Sequence, residues 1–102
     1  EIIRRGVWVP NAFSPNGGGV NDGFYPVVSE DSYRTVRSMS VYDRWGALVF
    51  QKSDFPPNDP AEGWDGRFRG EPLNPGVYVY LIELEWKNGE RQILQGDFTL
   101  VR

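Results

Sequence analysis

The groups that could do chemistry in this sequence are carboxylates, amides and aromatic rings, because it contains neither histidine nor cysteine. Imidazole bases, thiolate nucleophiles, disulfides and soft-metal sites are thereby excluded. The densest cluster of oxygen-bearing side chains lies in the Gly-rich stretch at residues 11–22, where Asn16, Asn21 and Asp22 surround three consecutive glycines. Hard cations such as calcium want several oxygens, including carboxylates, and Asp22 is the sole acid there. The competing reading is a turn whose Asn and Asp side chains cap backbone N–H groups while the glycines take positive φ. That reading is preferred, so no cofactor is expected. No Gly-Lys-Ser/Thr follows the glycines, which removes a phosphate cradle.

Paired carboxylates are the remaining route to catalysis: Glu62 and Asp65 flank Trp64, and Glu83 and Glu85 lie two apart in an apolar run. On a strand the second pair projects from one face about 7 Å apart, marking its solvated side, and Asp65-Gly66 is first a turn signal. A non-enzyme is expected. Four Trp and five Tyr raise carbohydrate binding as the alternative, since sugars stack on exposed rings. Tyr78, Tyr80 and Trp86 share a strand face and are explained by packing, and Trp8 between Val7 and Val9 is expected to be half buried. Trp45 and Trp64 are the rings expected at the surface, with Arg44 and Arg69 as cation-π partners.

The elements that position these residues are β. Twelve Gly and eight Pro among 102 residues punctuate short runs of Val, Ile, Tyr, Phe, Trp and Leu, and no stretch repeats apolar residues at helical spacing. Strands are expected at 5–9, 23–28, 35–43, 47–51, 67–69, 77–87 and 90–101, with at most a helical turn near 29–33. Seven short strands predict an all-β fold, an immunoglobulin-like antiparallel β-sandwich. Asn88-Gly89 is read as a two-residue type I′ turn pairing Trp86 with Arg91 and Leu84 with Ile93. That register puts Phe98 and Leu100 on the opposite face from Ile93, so a bulge is expected at Gly96. Residues 42–46 form a second tight turn ended by Gly46. Residues 53–63, with three prolines, are expected as an exposed loop.

A formal charge of −3 offers no footprint for a phosphate backbone, so nucleic acid is not a partner. The longest apolar run, residues 77–82, is far short of the ~18 residues that span a bilayer. The sequence opens on Glu1 without a leader and keeps one composition throughout. It is therefore read as a single domain, 1–102, excised from a longer protein, with any export leader upstream of it.

Three ordered stretches resemble a known family: Val9-Pro10-Asn11-Ala12-Phe13-Ser14-Pro15-Asn16-Gly17 with Val20-Asn21-Asp22; Val41-Tyr42-Asp43-Arg44-Trp45-Gly46 with Leu48-Val49-Phe50; and Gly63-Trp64-Asp65-Gly66 with Gly70, Leu73 and Pro75-Gly76-Val77-Tyr78-Val79-Tyr80. The set is similar to the gliding-motility-associated C-terminal domain of Bacteroidota, the type B sorting domain of the type IX secretion system, from about residue 7 onward. The later two motifs also resemble the immunoglobulin-like domain of flagellar hook-capping proteins. The resemblance implies a non-catalytic C-terminal sorting signal that directs its cargo through the periplasm and across the outer membrane to the cell surface or medium. It also implies outer-membrane type IX components, including PorP/SprF-like proteins, as partners. Relatives carry Asp where this chain has Gly18, which leaves the loop one carboxylate short of any calcium site they form. A signal recognised as a folded body needs a rigid scaffold and exposed anchors. Arg44, Trp45, Leu100, Val101 and Arg102 are the residues expected to present that surface, or the final strand is expected to add to a partner sheet.

Overall fold

The computed structural model describes residues 2–4, 7–15, 23–28, 33–59 and 62–101. Among the described residues all nine elements are strands: β1 (Ile2–Arg4), β2 (Val7–Trp8), β3 (Ala12–Phe13), β4 (Tyr33–Tyr42), β5 (Leu48–Phe55), β6 (Arg67–Phe68), β7 (Glu71–Pro72), β8 (Gly76–Trp86) and β9 (Arg91–Leu100). The main sheet has the order β3-β9-β8-β4-β5. It is antiparallel except at its first pair, where β3 runs parallel to β9 with Ala12 beside Thr99. This strand was not anticipated. Its two residues carry no alternation of their own, and β9 lends them the ladder.

A thinner second layer covers one face of this sheet. β1 pairs with β2, Trp8 bridges to Val27, and Phe24 bridges to Trp64. The strand expected at 23–28 is reduced to those two bridges, with Pro26, which has no N–H to donate, between them. Of the strand expected at 5–9, residues 5–6 lie outside the described residues and β2 occupies Val7–Trp8, with β1 added ahead of it. Most of the helical turn expected near 29–33, residues 29–32, lies outside the described residues; Tyr33 begins β4.

Alternation along the strands builds the core. On β8, Tyr78, Tyr80, Ile82, Leu84 and Trp86 point inward, and on β9 Leu94, Phe98 and Leu100 join them, all buried. Phe24 from the second layer stacks on Phe98 with centroids 3.8 Å apart at 11°. Trp64, expected at the surface, is instead only 1% exposed. Its ring meets Phe13 at 5.6 Å and Tyr78 at 5.4 Å, and its indole N–H donates to the Arg67 carbonyl at 2.9 Å. The bridge to Phe24 turns residue 64 inward, and the indole finds a buried acceptor, so burial leaves no polar atom unpaired.

The β8–β9 hairpin corrects the expected register. Trp86 N–H donates to the Glu90 carbonyl at 2.8 Å and Gly89 N–H to the Trp86 carbonyl at 2.9 Å, closing a three-residue loop. Gly89 has φ +90°, while Asn88 is not among the positive-φ residues, as expected for a type I turn followed by a left-handed glycine rather than type I′. The pairing becomes Glu85 with Arg91, Glu83 with Ile93 and Ile82 with Leu94, unbroken to Gly76 with Leu100. A shift of one residue exchanges the faces of a strand. Ile93 consequently lies outside, Leu94 inside, and no bulge is needed at Gly96. Gly96 is required for another reason: a Cβ there would lie 2.8 Å from the Tyr80 hydroxyl oxygen. The type I′ geometry occurs between β6 and β7, where Arg69 and Gly70 have φ +54° and +82°.

The loop expected at 53–63 is also corrected. β5 continues to Phe55, paired with Val36, and the Phe55 ring is buried. Beyond it, Asn58 grips the backbone of Val28 through both amide atoms, accepting from its N–H at 2.8 Å and donating to its carbonyl at 3.0 Å. Pro56 and Pro57 thus lie between the end of β5 and a clasp to the second layer, and Pro60 lies outside the described residues.

Candidate recognition surface

The turn joining β4 to β5 carries the most exposed ring among the described residues, Trp45, at 83%. Asp43 N–H donates to the Ala47 carbonyl at 2.9 Å and Gly46 N–H to the Asp43 carbonyl at 3.0 Å. One Asp43 carboxylate oxygen accepts from the N–H groups of both Trp45 and Ala47, each at 2.9 Å. Gly46, at φ +87°, ends the turn as expected. This is the same three-residue loop as at 87–89, with a carboxylate knot added. The tip is rigid although its side chains face solvent.

The Arg44 guanidinium stands 5.7 Å from the centroid of the Trp45 ring. Among the described residues Arg44 has no ion-pair partner, unlike Arg37, Lys52 and Arg91. Arg69 lies 5.1 Å over Phe68, not over a tryptophan. Beneath the tip a cleft of about 160 Å³ is lined by Trp45, Val49, Leu73, Asn74 and Tyr78. Its far wall is fixed by the Tyr78 hydroxyl donating to the Asn74 carbonyl at 2.7 Å.

Tyr42 pairs with Val79 and Gly76 with Leu100, so the Trp45 tip and the last residues of β9 share one end of the main sheet. Of the expected anchors, Arg44, Trp45 and Val101 are exposed there. Leu100 is not, because it points inward and is fully buried; its contribution is to the core. Arg102, like Asn16, Asn21 and Asp22, lies outside the described residues. Strand addition to the very end of β9 is blocked, since β3 already accepts its Thr99 and Val101 N–H groups through the Asn11 and Phe13 carbonyls at 2.9 and 2.8 Å.

The outer face of β8 was not anticipated. Val77, Val79 and Leu81 project to solvent in a row, with Ile93 exposed on neighbouring β9 and Leu48 on β5, beyond β4. The signal was present in residues 77–82, apolar at every position. Such a strand fits a sheet covered on both faces, and among the described residues only one face is covered.

The carboxylates considered for catalysis are engaged elsewhere. Glu62 pairs with Lys52, Asp65 accepts from the Arg67 N–H at 3.1 Å, Glu83 meets Arg91 at 2.9 Å and Glu85 meets Arg37 at 3.6 Å. No cluster of three metal-ligating side chains occurs among the described residues, and no helix there is long and apolar enough to cross a membrane.

The described residues define a small all-β domain with a packed aromatic core and an exposed hairpin tip. The family model of the CHU_C type IX secretion signal domain matches residues 7–100, and the chain belongs to that family. No curated protein matches it. Membership makes the domain a secretion signal, implies interaction with the type IX machinery, and implies a destination at the cell surface or outside the cell.

Proposed function

We propose that this domain is a non-catalytic, C-terminal export address read as a folded body, and that the end of the main sheet carrying Arg44, Trp45 and Val101 is the surface that is read. The supporting observation is the tip itself. A large ring held 83% exposed contributes little to stability, yet its backbone is fixed by the Asp43 carboxylate. An exposed aromatic with an adjoining arginine on a preorganised turn is the composition of a binding hot spot. The readers on this proposal are outer-membrane components of the machinery, PorP/SprF-like proteins among them, met after the cargo reaches the periplasm. No calcium is required, because Asp22 is the sole carboxylate of the Gly-rich loop.

The test is export of a periplasmically delivered fluorescent reporter carrying residues 1–102 at its C-terminus, in hosts with type IX secretion intact or disabled. Export that requires both the fusion and the machinery is expected, with Trp45→Ala lowering it while melting stays unchanged. Wild-type export from Trp45→Ala at unchanged melting would remove this surface from the reading step.

A further inference from the structure

The two edges of the main sheet are treated differently. At the β5 edge the register slips beside Tyr42, Lys52 supplies a cation, Asp54 has φ +55°, and Pro56-Pro57 follow. Irregularity, charge and proline are the devices that keep an edge from pairing with another chain. The opposite edge has neither irregularity nor proline along residues 91–97 of β9, and its charges stand only at the two ends of that stretch, Arg91, which is paired with Glu83, and Asp97; β3 covers only Thr99 and Leu100.

The direction of the backbone groups on that stretch follows from the hairpin. Trp86 and Glu90 form a hydrogen-bonded pair, so in an unbroken antiparallel ladder the residues bonded to β8 are Gln92, Leu94, Gly96, Phe98 and Leu100. The odd-numbered residues turn their N–H and C=O groups the other way, as the bonds from Thr99 and Val101 to β3 show. Ile93, Gln95 and Asp97 therefore present theirs outward, with no partner among the described residues. All three are exposed, Ile93 at 65%. Donors and acceptors repeated every second residue along one line are matched by another extended backbone.

We propose that the β9 edge at residues 91–97 receives an extended segment of a partner protein as an added strand, continuing the line of β3. The occupant is a short stretch without proline at its bonding positions. It exchanges backbone hydrogen bonds with Ile93 and Gln95, with Asp97 next to the end of β3. Its alternate side chains lie along the outer face beside Ile93 and Gln95. This inference rests on the export role proposed above and adds a second contact away from the Trp45 tip.

The deciding variant is Gln95→Pro in the full reporter fusion. The Gln95 N–H takes no part in the β8–β9 ladder, so proline there removes an outward donor and adds bulk while sparing the sheet. Ile93→Lys, at an exposed site, places a charge on the edge and serves if the proline variant fails to fold. Unchanged melting with export reduced about tenfold is expected, the loss that one or two forfeited backbone bonds produce in partner occupancy. Export equal to wild type from a folded edge variant overturns the proposal. So does concentration-dependent dimerisation of the wild-type domain that Gln95→Pro abolishes, since the edge would then serve a second copy. Failure of the wild-type fusion itself to be exported would instead refute the sorting role, leaving the two failures distinguishable.

Discussion

Replacing Gly96 with alanine separates two explanations for a glycine inside a long strand. A Cβ at this position would lie 2.8 Å from the Tyr80 hydroxyl oxygen and 3.0 and 3.1 Å from ring atoms Cζ and Cε2. Tyr80 cannot simply swing aside, because its ring is held by Phe24 at 5.6 Å and Phe98 at 6.3 Å. Overpacking of this kind costs about 1–3 kcal/mol, and the reduced freedom of the unfolded chain returns about 0.4–1 kcal/mol. The net loss of about 1–2 kcal/mol lowers Tm by roughly 5–15 °C for a domain of this length. Thermal unfolding followed by circular dichroism measures it. Tyr80→Phe removes the nearest atom and leaves the 3.0 and 3.1 Å contacts. The double variant should therefore recover part of the loss, with a coupling of about 0.5–1 kcal/mol in a double-mutant cycle. A bulge glycine at positive φ would give additive costs, since the strain would be in its own backbone. Additivity, or a Gly96→Ala variant as stable as wild type, would refute the Tyr80 explanation.

Other outcomes follow from the same geometry. Asp43→Ala deletes two bonds to backbone N–H groups and should cost about 1–2 kcal/mol in chemical denaturation, whereas Asp43→Asn, which keeps an acceptor oxygen, should cost less. Trp45→Phe should remove most of the acrylamide-quenchable emission while Tm stays nearly constant; Trp64→Phe should do the reverse, costing about 1–3 kcal/mol through lost volume and the lost bond to Arg67. Gly89→Ala, at φ +90° in open space, should cost only about 1 kcal/mol of backbone strain. Gly63→Ala should cost more, because its Cβ would sit 2.9 Å from the Phe24 carbonyl oxygen, part of a bridge that has no freedom to withdraw.

The sequence by itself determined the class of the fold, the family, and the place of the exposed tip. Period-two alternation between turn residues is a local property, and Asp43, Gly46 and Gly89 act within a few bonds of their own backbone, so their effects are written where they stand. Trp45 is exposed for the same reason, being at the summit of a turn that its own neighbours close. Only the tertiary structure decided what depends on one strand meeting another. Two-residue and three-residue closures both accept Asn88-Gly89, and the choice between them, one residue of register, exchanged the faces of Ile93 and Leu94. Trp64, beside a glycine and a turn, reads as exposed until its bridge to Phe24 turns it into the core. β3 exists because β9 offers bonding groups to it. The open edge at 91–97 has no local signature, since it is defined by the absence of a neighbouring strand among the described residues, and the outward direction of its backbone groups is set by the hairpin closure several residues away.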